Sequence, residues 1–169
     1  MASAITLISS VTVGSGGAST IDFTSIPSTY TDLNLVVSVR SDVGGAESNA
    51  TVSFNNSTSN RTMKTLYGQG STVSSFDYGT NIYIWMNGGG STASTFGNAS
   101  IYVFNYAGAN NKPLSIDGIN INNSSSQNTL FLNAGLWSDS SAINRMTLTC
   151  SGGNFVQYST AYLYGISNA

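Results

Sequence analysis

The chain has 169 residues, enough for one domain with a single core that buries roughly two-thirds of the unfolded surface. Charged residues are only 7%, far below the roughly 25% usual in soluble domains, while 40% hydrophobic and 11% aromatic content excludes a disordered chain. The formal charge is −2, with five scattered basic residues (Arg40, Arg61, Lys64, Lys112, Arg145), so neither a phosphate-reading nucleic-acid interface nor attraction to an anionic membrane is expected.

Met1 to Ser10 has no basic n-region and reads as mature sequence, with residues 1–6 at most a loose N-terminal arm. Strands are predicted at 5–13 and, shorter, at 19–23. Residues 31–40 alternate with period two: Leu33, Leu35, Val37 and Val39 share one face, Asn34, Ser38 and Arg40 the other. Residues 50–54 turn Val52 and Phe54 inward. Further on, Ile82, Ile84 and Met86 alternate against Tyr83 and Trp85. Residues 98–106 are apolar on both faces, Ile101 and Val103 against Tyr102, Phe104 and Tyr106, so this strand is expected to be covered on both sides. Strands at 114–121, 129–137, 146–150 and 160–166 complete nine or ten. Gly-, Asn- and Ser-rich turns separate them, as at Gly44-Gly45 and 87–90. No segment holds a helical period, and no apolar run approaches the roughly 20 residues of a membrane-spanning helix. The expected architecture over 1–169 is one all-β domain, an antiparallel β-sandwich of jelly-roll type.

Catalytic machinery is not signalled. There is no histidine, and the lone Cys150 falls in phase with Met146 and Leu148, a buried core position without a base to activate it. The seven carboxylates (Asp22, Asp32, Asp42, Glu47, Asp77, Asp117, Asp139) sit in turn-like or solvent-face positions, and nothing marks a glycosidase pair. Asp42 and Glu47 bracket a Gly turn but lack the alternating oxygen ligands of a dedicated calcium loop. No enzyme activity, metal or cofactor is therefore expected. The densest aromatic region, Tyr67, Phe76, Tyr78, Tyr83 and Trp85, has two readings: core and subunit contact, or a surface that stacks on sugar rings.

A β-rich chain must guard its sheet edges, usually with charges or Pro. Here charges are few and Pro27 and Pro113 are the only prolines, so the edges are expected to be buried in a homo-oligomer, a trimer favoured. Segments at both ends and one interior motif then resemble a known group. The opening run 7–33, with Thr12-Val-Gly-Ser-Gly-Gly-Ala18 and Phe23-Thr-Ser-Ile-Pro-Ser-Thr-Tyr-Thr-Asp-Leu33, resembles small virion proteins of tailed bacteriophages, especially those of aquatic hosts such as cyanobacteria. Gly135-Leu-Trp137 and the terminal 154–166 continue the resemblance. It implies a virion structural protein on the outer surface of the particle. The favoured role is capsid decoration, cementing the major capsid protein lattice, since no collagen-like repeat or heptad marks a fibre shaft. The alternative is a tail-fibre or receptor-binding module, which contacts tail proteins or a host surface glycan.

Overall fold

The computed structural model describes residues 4–123 and 127–167. Among them are twelve strands and no helix: β1 (Ile5–Thr12), β2 (Thr20–Phe23), β3 (Asp32–Val39), β4 (Glu47–Phe54), β5 (Arg61–Gln69), β6 (Thr72–Tyr78), β7 (Ile82–Asn87), β8 (Gly97–Val103), β9 (Lys112–Asn120), β10 (Thr129–Trp137), β11 (Met146–Cys150) and β12 (Thr160–Ile166). They form two antiparallel sheets packed as a β-sandwich. One has eight strands in the order β1-β12-β3-β8-β9-β10-β5-β6, the other four in the order β2-β11-β4-β7. The chain changes sheet at every step except β5 to β6, β8 to β9 and β9 to β10.

The period-two faces are what the sandwich buries. Leu33, Leu35, Val37 and Val39 of β3 meet Val52 and Phe54 of β4, Ile82, Ile84 and Met86 of β7, and Met146, Leu148 and Cys150 of β11 in one core. Trp137, the largest fully buried side chain, packs its ring 5.4 Å from that of Phe54. The Gly-rich turn after β7 lies backbone to backbone on the turn after β3. A Cβ at Gly88 would stand 2.1 Å from the Gly45 carbonyl oxygen, so only glycine permits the approach.

Three expectations need correction. The loose arm does not extend through Ala4–Thr6: Ile5 and Thr6 pair with Ile166 and Gly165, and Ser167 N–H donates to the Ala4 carbonyl. Residues 1–3 lie outside the described ones. The strand predicted at 98–106 stops at Val103. Tyr106 then reaches the core from a turn, its hydroxyl donating to the Pro27 carbonyl, while Phe104 stays exposed. Finally, β5 and β6 occupy a stretch where the hydrophobic pattern marks no strand.

Candidate functional site

The β5–β6 hairpin turns on Gly70-Ser71, with Gly70 at φ +58°, where a two-residue turn of type II′ wants glycine. Its register sets Met63 opposite Tyr78, Thr65 opposite Phe76 and Tyr67 opposite Ser74. These side chains share the sheet's inner face and curl around the free edge of β7. That edge is closed by side chains: Tyr83 N–H donates to Met63 Sδ (3.4 Å), and Asn133 Nδ2 donates to the Tyr83 carbonyl (3.0 Å). Thr65 Oγ1 holds the Asn133 amide from the other side at 2.5 Å.

All five aromatic residues singled out in the sequence converge here. Tyr67 lies 5.6 Å from Phe76 and 6.2 Å from Trp85, the latter nearly parallel. Tyr78 sits 5.4 Å from Tyr83 and 6.1 Å from Trp85, and Trp85 continues inward to Phe131 at 5.1 Å. Tyr67, Tyr78, Tyr83 and Trp85 are half-buried against the core, whereas Phe76 is 45% exposed. The cluster joins the hairpin to the four-stranded sheet and presents one aromatic edge to solvent. Burial pushes the Tyr78 hydroxyl pKa up, with the neighbouring Tyr67, Tyr83 and Glu47 adding to it.

Beside the cluster stands Glu47, a contribution that sequence reasoning missed. Its Oε2 accepts from Thr129 Oγ1 (2.5 Å), Asn120 Nδ2 (3.0 Å) and Gln69 Nε2 (3.2 Å), and Tyr67 OH donates to Gln69 Oε1 at 3.2 Å. One carboxylate thus ties β4 to β5, β9 and β10 through neutral donors. Asp42 is engaged elsewhere, accepting from the backbone and amide of Asn154. The two carboxylates around the Gly turn therefore engage different partners. Among the described residues no three His, Cys, Asp or Glu side chains gather as a metal site. Cys150 is buried, which pushes its thiol up to about 11 and keeps it protonated.

Three of the five cations are also buried, without a carboxylate partner. Arg40 donates to the carbonyls of Gly89, Ser91, Thr92 and Thr95, and so organises the loop between β7 and β8. Arg61 donates to Val52 O (2.5 Å), Thr58 O and Asn81 Oδ1. Lys112 Nζ donates to the carbonyls of Gly108 and Asn110. The signal was available for Lys112, which is in phase with Leu114 and Ile116.

The second surface is the outer face of the eight-stranded sheet, which no other part of the described chain covers. Leu66, Val73, Leu130 and Leu132 form an exposed apolar patch on β5, β6 and β10, and Ile5, Leu7, Val36 and Tyr162 another on β1, β3 and β12. Charges on this face are few. Lys64 and Asp77 pair with each other at 3.0 Å, Asp32 is occupied by the Tyr102 hydroxyl and Asn105 N–H, and Asp117 of β9 stands exposed beside Leu132. A shallow groove of about 420 Å³ runs over Ala134 between Leu66, Leu132, Ser75 and Ser115. No family model and no curated protein matches the chain.

Proposed function

We propose that the protein is a non-enzymatic structural component of a tailed-bacteriophage virion. Its role is that of a capsid decoration protein on the outer surface of the particle, docked on the major capsid protein lattice through the outer face of the eight-stranded sheet. The uncovered face carries this reading. Eight strands at about 4.8 Å spacing, each some 25 Å long, offer roughly 900 Å², close to the roughly 800 Å² per partner of a standard stable interface. The face is apolar in patches and carries, among the described residues, one unpaired carboxylate, Asp117 beside Leu132, a low charge density of the kind found at the core of an interface. Repeated weak docking on a lattice gains from effective concentration. We read the order β1-β12-β3-β8 against β2-β11-β4-β7 as that of a jelly roll, an architecture used by viral capsid and lectin domains.

Copy number in purified particles tests the reading. Hundreds of copies per particle are expected, and Leu132→Lys is expected to abolish rebinding to particles stripped of the protein while leaving the fold intact. Tens of copies or fewer, with wild-type rebinding to tails, would overturn it in favour of a receptor-binding module. The observation behind that second reading is the convergence of Tyr67, Phe76, Tyr78, Tyr83 and Trp85 beside Glu47 and Gln69, aromatic faces and hydrogen-bonding groups of the kind that hold a sugar.

A further inference from the structure

We propose that β6 is the self-association edge of this protein, where a second copy adds its own β6 antiparallel to form one continuous sheet across a two-fold axis at Ser75. The two sheets have four edge strands between them, and three are guarded. β7 is closed by Met63 and Asn133. β2 has only four residues. β1 is broken by a bulge between Leu7 and Ser9. Short strands, bulges and covers are the usual defences of a sheet edge. β6 has seven residues, no register break, no proline, and a single charge, Asp77, already engaged by Lys64.

The hairpin fixes which groups face outward. In a two-residue hairpin the residues flanking the turn, here Gln69 and Thr72, form a hydrogen-bonded pair, and the pattern then alternates along the strand. Thr72, Ser74, Phe76 and Tyr78 therefore bond to β5. Val73, Ser75 and Asp77 aim their N–H and C=O groups away from the sheet. With the axis at Ser75, Val73 pairs with the partner's Asp77, and Ser75 with the partner's Ser75. All six free groups of each copy are then used, in about six hydrogen bonds.

The side chains fit the same register. Val73, which is 74% exposed, lies opposite a carboxylate that Lys64 already neutralises. The two Asp77 residues stand four positions apart along the strand, about 13 Å, beyond the roughly 8 Å screening length at physiological salt. On the other face, Phe76 lies diagonal to the partner's Phe76, within reach for aromatic contact. This explains why the one aromatic of the cluster left exposed sits on the edge strand. The pairing deepens the assembly role proposed above, in two-fold form instead of the trimer favoured on sequence grounds. It needs no capsid, so its failure and that of the particle reading are separable.

The test uses the purified full chain. Sedimentation is expected to give twice the chain mass. Residue-resolved amide exchange is expected to show Val73, Ser75 and Asp77 protected along with their neighbours. Ser75→Pro removes only an outward N–H and spares the ladder to β5, so the mass should halve and the Val73 and Asp77 amides should exchange freely, with the circular dichroism spectrum retained. Ser75→Lys, which sets two like charges directly opposite each other at the axis, should do likewise should the proline variant not fold. A monomeric wild type, or an oligomer of any order in which these three amides exchange freely, overturns the pairing.

Discussion

Arg40, Arg61 and Lys112 end in nests of main-chain carbonyls, an arrangement that spends most of the chain's small stock of positive charge on its interior. It also shapes the response to pH. At Asp22 burial acts to raise the pKa, but hydrogen bonds from Arg145 and Thr147 outweigh it and the net displacement is downward. Asp42 and Asp139 are held low mainly by the backbone N–H groups of Asn154 and Ser141. Carboxylates lowered on folding contribute stability above their ordinary range and lose it as pH falls through the folded values. Tyr78, Tyr102 and Tyr106 are raised chiefly by burial, and Cys150 is pushed up to about 11. Acids raised on folding contribute below their ordinary range and lose it on the alkaline side. With no histidine between the two sets, the melting temperature is expected to be flat from about pH 5 to about pH 8.5 and to fall on both sides. Calorimetry across that range checks it, and a step near pH 6.5 would contradict it.

At the level of elements, β9 shows how a glycine inside a strand becomes a packing requirement. Gly118 pairs with Phe131 across the β9–β10 ladder, and a Cβ there would stand 2.4 Å from the Phe131 ring and 2.5 Å from the Asn98 carbonyl oxygen. Gly118→Ala is expected to cost about 1–3 kcal/mol in denaturant unfolding through overpacking, whereas alanine at Gly14, where a Cβ would meet nothing, should change little. The strands legible in the sequence were those whose inward positions are apolar, such as β3 and β7. The β5–β6 hairpin was not legible because its inward positions include Arg61, Thr65 and Ser74. Arg61 and Thr65 are satisfied by hydrogen bonds to Val52 O and Asn133 Oδ1, which leave no trace in hydrophobic periodicity. The five aromatics were visible as a dense region. Their convergence depends on this hairpin, as does the company of Glu47, held by residues up to 82 positions away.

For the whole molecule, the two-sheet class followed from alternation alone, since period two with no competing helical period leaves few other ways to bury the apolar faces. The unequal size of the sheets did not follow, because sheet order depends on long-range pairing. The same pairing has a kinetic consequence. β12 is inserted between β1 and β3, and Ile5 pairs with Ile166. β2 likewise waits for β11. β1 and β2 therefore find their only neighbours, and β3 the second of its two, when the last two strands are present, so for β1 and β2 loop closure over most of the chain precedes any reward from pairing. Refolding from denaturant, followed through the buried Trp137, is expected to be slow, on the order of milliseconds to seconds, and a chain ending at Ser159 is expected to remain unfolded. During synthesis β1 and β2 emerge long before their partners, so that β12 acts as the keystone of the eight-stranded sheet.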